Sequence, residues 1–258
     1  MPTFLNDSPV FGPVRSRRLG LSLGVNMMPA AGKICTFDCL YCENGLNAER
    51  RCAQRHNTAE TVLASLERSL LEMRETGELP DVITFAGNGE PTAAPEFSEA
   101  VAGTVRLRDE IAPSCRIAVL SNGTRADVPA VHDALMLVDD NILKLDTADR
   151  SYIQLLDRPV GPYDVEHQIE TFASFNGHVI IQTIFLTGEY QGKLIDNTGE
   201  EYVAPWLAAL ERIRPQEATI YTVARETPIA GLAKAAPEVL DAIAARVRAL
   251  GIPCQVSY

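Results

Sequence analysis

The sequence predicts an α/β protein whose parallel strands form an open, partial (β/α)6 barrel. Short apolar segments alternate six times with amphipathic segments of helical period along the 258 residues, and this alternation indicates parallel strands with right-handed crossovers. Six such units are fewer than the eight that close a barrel. Polar residues follow the apolar segments, at the strand ends where barrel proteins carry their chemistry.

The elements follow from local patterns. Residues 21–28 (LSLGVNMM) are predicted to be a strand that leads into a cysteine-rich loop, and residues 58–76 an amphipathic helix capped by Thr58. The other predicted strands are 81–86, 116–120, 141–146, 179–186 and 218–223, and the other predicted helices are 96–111, 129–137, 163–175, 202–213 and 237–250. Residues 254–257 are predicted to form a short edge strand.

Length and composition bound the class of protein. A chain of this length can bury a large core, and without linker or low-complexity tracts we predict one domain over residues 1–258, with residues 1–20 as an N-terminal arm and 21–258 as the core. No apolar run of about 18 residues occurs, so no membrane span is expected. The first twelve residues lack a basic segment followed by an apolar one, so no secretion signal is expected. Six cysteines, three of them clustered, fit a reducing cytoplasm, which is the predicted location.

The charge is acidic overall and locally basic. The net charge is −11, yet residues 1–55 hold seven Lys or Arg against four Asp or Glu, which leaves −14 for the rest. An acidic protein lacks the electrostatic footprint of polyanion binding. The basic segment lies beside the cysteine loop, so it favours either a local anionic ligand, an acidic electron donor or simply a solvated face.

Chemistry is concentrated in the loop 35–42 (CTFDCLYC). Cys35, Cys39 and Cys42 have the spacing C-x3-C-x2-C, so three thiolates can converge on one centre. Three thiolates can hold an iron–sulfur cluster and leave one iron open for another ligand. Sulfur ligands also suit zinc, for which Cys52 or His56 would supply a fourth ligand. The spacing favours the cluster and leaves zinc as the alternative.

This loop, with Tyr41 before its last cysteine, resembles the radical S-adenosylmethionine (SAM) superfamily. The stretch 85–92 (FAGNGEPT) is similar to that superfamily's glycine-glutamate-proline turn, and residues 11–26 (FGPVRSRRLGLSLGVN) resemble the small radical SAM proteins related to the wyosine-type tRNA-modifying enzymes. The resemblance covers most of the chain and implies an open (β/α)6 barrel.

The resemblance also implies cofactors and their residues. Cys35, Cys39 and Cys42 would hold a 4Fe–4S cluster whose open iron binds SAM, and one electron from the cluster would release methionine and a 5′-deoxyadenosyl radical. The residues implied or proposed for SAM and substrate are Tyr41 near the adenine; Gly87, Asn88, Gly89 and Glu90 at the methionine end; Ser121 and Asn122 at the ribose or carboxylate; and Lys144, Asp146 and Gln182.

The basic residues and the family resemblance suggest candidate partners and substrates. Arg17, Arg18 and Arg225 are candidates for contact with a substrate or an electron donor. Because no flavodoxin-like domain occurs in the chain, we expect an external one-electron donor of the flavodoxin or ferredoxin type. By family analogy the substrate is a tRNA or nucleotide, although the acidic charge counts against it. The alternatives are an activase of the glycyl-radical type acting on a protein, and a zinc or iron–sulfur binding module without enzymatic activity.

Overall fold

The computed structural model describes residues 4–16, 18–225 and 227–258. Along the chain the elements are β1 (Val10–Ser16), β2 (Gly20–Asn26), α1 (Ala59–Thr76), β3 (Val82–Ala86), α2 (Phe97–Ile111), β4 (Arg116–Ser121), α3 (Pro129–Leu135), β5 (Asp140–Lys144), α4 (Arg150–Leu156), α5 (Val165–Ala173), β6 (Ile180–Ile184), β7 (Leu186–Tyr190), β8 (Lys193–Asp196), α6 (Glu200–Ile213), β9 (Glu217–Tyr221), β10 (Leu232–Lys234), α7 (Pro237–Ala249) and β11 (Cys254–Ser257). A short 3-10 helix, Pro91–Ala93, precedes α2.

The main sheet has eight strands in the order β1-β2-β3-β4-β5-β6-β9-β11. From β2 to β11 every neighbouring pair is parallel, and only β1 pairs antiparallel with β2. The sheet therefore forms an open half-barrel, and the predicted fold class is confirmed. The expected edge strand at 254–257 is also confirmed, because β11 pairs with β9.

Helices cover one face of the main sheet, which is called the outer face. The core under these helices contains large side chains that are almost fully buried, namely Phe85, Phe97, Phe172 and Trp206. Burial of each such side chain stabilises the fold by about 1.5–3 kcal/mol.

Thr58 caps α1 as predicted, because its side chain accepts a hydrogen bond from the Thr61 N–H. No helix of the described residues is both long and apolar enough to span a bilayer.

Three features of the fold were not predicted. The segment assigned to an N-terminal arm contains β1, in which Val10 is buried and lies opposite Val25 of β2. The predicted strand 179–186 is divided at Phe185, whose N–H turns to the carbonyl of Tyr221 in β9. After that division β7 joins β8 and β10 in a small antiparallel sheet.

The helix α4 is the third feature. It has seven residues, too few for a clear helical period, and it begins where the Asp149 side chain accepts a hydrogen bond from the Tyr152 N–H. Its buried face joins an apolar cluster with residues of the cysteine loop, β6, β7 and β8, namely Leu40, Tyr152, Leu156, Ile184, Leu186 and Ile195. The helix α4 and the small sheet therefore lie beside the cysteine loop.

Candidate functional site

The cysteine loop crosses the carboxyl ends of the strands and forms one wall of a cavity of about 440 Å³. Cys35, Cys39 and Cys42 all line this cavity, which we call the upper cavity. Opposite them lie residues from the ends of β3, β4, β5, β6 and β9, so the polar strand ends noted in the sequence do converge.

The backbone of the loop is fixed to the segment that follows α4. The Asp38 N–H donates to the Asp157 carbonyl at 3.0 Å, and the Leu40 N–H donates to the Leu156 carbonyl at 3.0 Å. In return the Val160 N–H donates to the Thr36 carbonyl at 2.9 Å. Backbone hydrogen bonds therefore hold the loop in place, although it is not a strand.

The glycine turn is joined to the other end of the loop. Ile34 and Gly89 form a parallel bridge, in which the Ile34 N–H donates to Asn88 and the Glu90 N–H donates to Ile34. Gly89 has a φ of +132°, and a Cβ at this position would lie 1.9 Å from the Ile34 carbonyl oxygen. Only glycine fits here. The close approach that this glycine permits is to the cysteine segment itself.

Asn88 is turned away from the upper cavity. Its side-chain carbonyl accepts the Asn6 N–H at 2.7 Å, and its amide nitrogen donates to the carbonyls of Asn6 at 2.7 Å and Pro29 at 2.9 Å. Gly87 lies against Asn26, whose side-chain oxygen also accepts the Asn88 N–H. The asparagine in the middle of the glycine turn therefore fastens the beginning of the chain to the site.

Glu90 is 2% exposed and its carboxylate is surrounded by protein donors. One oxygen accepts hydrogen bonds from the Thr92 N–H, the Thr92 hydroxyl and the Ser121 hydroxyl, and the other accepts the Asn122 N–H at 2.7 Å. Burial raises the pKa of Glu90, while these donors act in the opposite direction. The carboxylate joins the glycine turn to the end of β4 and also lines the upper cavity.

Asn122 connects β4 with the cysteine loop. Its amide nitrogen donates to the Thr36 hydroxyl at 2.8 Å and to the Cys35 sulfur at 3.8 Å. Its carbonyl oxygen accepts the Thr124 N–H and hydroxyl. Ser121 and Asn122 thus lie at the cavity wall, and their polar atoms are engaged by the protein.

Lys144, at the end of β5, is the centre of a buried ionic network. Its ammonium group lies 2.8 Å from the Cys39 sulfur, 2.8 Å from Asp157 and 3.4 Å from Asp146. Tyr41 donates its hydroxyl hydrogen to Asp146. Burial alone would lower the pKa of Lys144, but Asp157, Cys39 and Asp146 raise it well above its ordinary value. The ammonium group is therefore charged, and it ties the loop to the sheet.

Gln182 and Arg18 mark the floor of the upper cavity. Gln182 lies at the inner face of β6. The Arg18 guanidinium stands 4.9 Å from the centre of the Tyr221 ring, which is a cation–π contact. Arg18 therefore faces the cavity interior. Its neighbour Arg17 lies outside the described residues.

Arg225 lies at the cavity mouth. Its guanidinium pairs with Glu43 of the cysteine-loop region at 2.6 Å and stands 5.7 Å from the centre of the Phe4 ring. About half of each charged side chain is exposed. The pair bridges the two sides of the mouth.

A second cavity, of about 360 Å³, lies nearer the amino ends of the same strands and is called the lower cavity. It shares Arg18, Leu120, Ile142 and Gln182 with the upper one. Its other polar side chains are Arg116, Asp140, Gln216, Glu217, Thr219 and Gln255.

The three cysteines fit the ligation of a cluster. All are free thiols at the same cavity, and each sulfur has a nitrogen donor from another part of the chain. Burial raises the pKa of Cys35 to about 12, so a metal that binds this sulfur would have to displace its proton. Among the described residues no three His, Cys, Asp or Glu side chains lie close enough to hold one metal ion. In a cubane, by contrast, each cysteine binds a different iron.

Cys52 and His56, the suggested fourth zinc ligands, do not line the upper cavity. The sequence interpretation also missed two charged residues at the cysteines. Asp157 shares the Lys144 ammonium group, and Lys33 donates to the Cys42 sulfur at 3.3 Å. The only local signal was a lysine two positions before the first cysteine.

Comparison with known proteins gives both sequence relatives and fold neighbours. No protein-family model matches the chain. The UPF0026 protein slr1464 of Synechocystis sp. is 31% identical over 224 residues, which are 85% of this chain and 77% of that protein. A Brachyspira hyodysenteriae sequence named GTPase Obg is 26% identical over 228 residues. The chain spans only 31% of that sequence and 56% of a UPF0026 protein of Helicobacter pylori.

Solved structures with a similar fold include a radical SAM enzyme and a protein bound to S-adenosylmethionine. A radical SAM methyltransferase from Sphaerobacter thermophilus has a TM-score of 0.66 at 20% identity, covering 92% of this chain and 66% of that one. Streptococcus suis SuiB bound to S-adenosylmethionine has a TM-score of 0.62 at 14% identity, covering 88% and 48%. TYW1 with a lysine-pyruvate adduct has a TM-score of 0.60 at 13% identity, covering 88% and 73%. The chain has the fold of these proteins.

Proposed function

The chain belongs to the UPF0026 family, and from its fold and its cysteine loop we propose that it is a radical SAM enzyme. Cys35, Cys39 and Cys42 would bind a 4Fe–4S cluster, and SAM would occupy the upper cavity beside it. Such a cluster supplies the electron that cleaves SAM to methionine and a 5′-deoxyadenosyl radical, which abstracts hydrogen from the substrate.

One observation carries the proposal. The three cysteines line one wall of a cavity at the carboxyl ends of a half-barrel, and the segment just before them is bridged to the glycine turn through Ile34 and Gly89. The two motifs, about fifty residues apart in sequence, are thereby built as one unit. This arrangement supports a shared ligand for the loop and the turn.

Residues of this chain hold the cysteine loop and the glycine turn in place and form the wall of the cavity. Glu90 and Asn122 hold the glycine turn, β4 and the cysteine loop in one geometry through buried hydrogen bonds. Lys144 and Asp157 hold the middle of the loop against β5. The segment from Phe4 to Asn6 forms part of the cavity wall, since Phe4 and Asn6 are among its lining residues.

The reductant and the substrate remain parts of the proposal. We propose an external one-electron donor of the flavodoxin or ferredoxin type. For the substrate, family analogy favours a tRNA or nucleotide, although the net charge of −11 counts against a polyanion. The alternative is a protein substrate, as for an activase of the glycyl-radical type.

The experiment is anaerobic reconstitution with iron and sulfide, followed by metal analysis, electron paramagnetic resonance and detection of 5′-deoxyadenosine after addition of dithionite and SAM. We expect about four irons per chain and slow formation of 5′-deoxyadenosine without substrate. Cys39→Ala should lose both. Cys115→Ala is the matched control, because Cys115 is buried in the outer core and does not line the upper cavity.

A protein that takes up one zinc ion and no iron or sulfide would contradict the proposal. So would formation of 5′-deoxyadenosine by Cys39→Ala at the wild-type rate.

A further inference from the structure

Two lysine ammonium groups contact the cysteine sulfurs from different parts of the chain. Lys33 donates to the Cys42 sulfur at 3.3 Å and Lys144 to the Cys39 sulfur at 2.8 Å. The third sulfur, that of Cys35, receives neutral donors, the Asn122 amide at 3.8 Å and the backbone N–H of Phe37. Each predicted ligand of the cluster thus has an N–H donor, and for two of the three sulfurs that donor is a cation.

The two cations are held differently. Lys33 is 5% exposed, and its ammonium group also donates to the Gly45 carbonyl at 2.7 Å. It forms no ion pair with any carboxylate of the described residues. Lys144, in contrast, lies within 3.4 Å of both Asp157 and Asp146. No carboxylate therefore offsets the effect of Lys33 on its cysteine sulfur, whereas two carboxylates offset the effect of Lys144.

A cation beside a thiolate ligand changes the energy of electron uptake. Reduction adds one negative charge to the cluster and its thiolates, and a nearby positive charge stabilises the product more than the reactant. Hydrogen bonds to the sulfurs act in the same direction. Both lysines are largely buried, so salt and water screen this interaction less than they would at the surface.

We propose that Lys33 and Lys144 raise the reduction potential of the cluster bound by Cys35, Cys39 and Cys42, with Lys33 as the stronger of the two. This inference rests on the proposed function, because it requires the cluster. It assigns to Lys33 a positioning role that the cysteine motif does not include. A higher potential lets a mild one-electron donor reduce the cluster.

The test is an anaerobic potentiometric titration followed by the electron paramagnetic resonance signal of the reduced cluster. Lys33→Met keeps an unbranched apolar stem and removes the charge, and Lys33→Gln keeps an N–H donor without the charge. We expect Lys33→Met to shift the reduction equilibrium at least tenfold toward the oxidised state, about 59 mV for a one-electron couple. Lys33→Gln should shift it in the same direction by less.

Two further variants complete the design. Lys193→Met is the matched control, since Lys193 is an exposed lysine of β8 outside the upper cavity, and it should keep the wild-type potential. The double variant Lys144→Met with Asp157→Asn removes a cation together with one of its carboxylates, which avoids a buried unpaired charge. It should shift the potential by less than Lys33→Met does.

Iron and sulfide content, measured on each preparation, separates the possible failures. Wild-type protein without a cluster would refute the proposed function. A Lys33→Met protein with full iron content and the wild-type potential would refute this inference and leave the proposed function intact. Loss of the cluster in both Lys33 variants would also refute it, because Lys33 would then support assembly and not tune the potential.

Discussion

The two cavities of the half-barrel lie on the same strands, yet their polar side chains are held in different ways. In the upper cavity Glu90, Asn122 and Lys144 are bonded to partners that come from distant loops. In the lower cavity Arg116 is 51% exposed and pairs with Asp140 of the neighbouring strand. The loop that connects a strand to the next helix begins at the carboxyl end of that strand. These loops can therefore supply partners to the upper cavity but not to the lower one. The upper cavity is therefore the one whose polar side chains are held in fixed positions, which favours it as the candidate site.

The first prediction compares Glu90, a buried carboxylate of the upper cavity, with Glu217 of the lower cavity. Glu90→Gln places an amide among four donors, so at least one donor loses its acceptor. We expect the free energy of unfolding to fall by about 1–3 kcal/mol and SAM affinity to fall about tenfold or more. Denaturant titration and equilibrium dialysis measure the two effects.

Glu217→Gln is the control for that experiment. Glu217 lies at the amino end of β9 and accepts only the Thr219 hydroxyl among the side-chain bonds of the described residues. It should leave SAM affinity unchanged. Equal loss of affinity in both variants would mean that the cavities are not functionally distinct.

The second prediction concerns Arg18, which both cavities share. Its guanidinium lies over the Tyr221 ring, and a cation–π contact of this kind is worth about 0.5–1 kcal/mol. A double-mutant cycle with Arg18→Ala and Tyr221→Leu, measured by denaturant unfolding, should give a coupling free energy of that size. Strict additivity of the two variants would show that this contact contributes nothing to stability.

The third prediction concerns Asp140 of the lower cavity and the dependence of the free energy of unfolding on pH. Burial raises the pKa of Asp140, against the opposing effect of Arg116. Because the folded state holds this proton more tightly than the unfolded state, the wild type should lose stability as pH rises from about 4, the unfolded carboxyl value, through the folded pKa. Asp140→Asn should retain that stability at neutral pH. Denaturation midpoints at several pH values measure the difference, and parallel curves for the two proteins would contradict it.

The fourth prediction concerns the mouth of the upper cavity. The Arg225–Glu43 pair is about half exposed, and such pairs contribute about 0–1 kcal/mol. Arg225→Ala should therefore change the free energy of unfolding little, and the change should shrink further at high salt. A large, salt-independent decrease in the free energy of unfolding, measured by heat or denaturant, would mean that this pair stabilises the fold.

Local patterns in the sequence determined much of the fold. Helical and strand periods identified six strands of the sheet, the edge strand β11 and the helix cap at Thr58. They failed for α4, whose seven residues make only about two turns, and for the small sheet, whose strands LTGEY, KLID and LAK have no continuous apolar run.

The cysteine spacing and the glycine turn are also local, so the sequence by itself identified both. Only the tertiary structure decided which side chains meet them. Lys144 and Cys39 are separated by 105 positions, and Asn88 and Asn6 by 82. No period or spacing encodes such contacts, because they depend on how the loops fold over the ends of the strands. Lys33 is close to the cysteines in sequence, yet only the backward turn of the loop brings its ammonium group to the Cys42 sulfur.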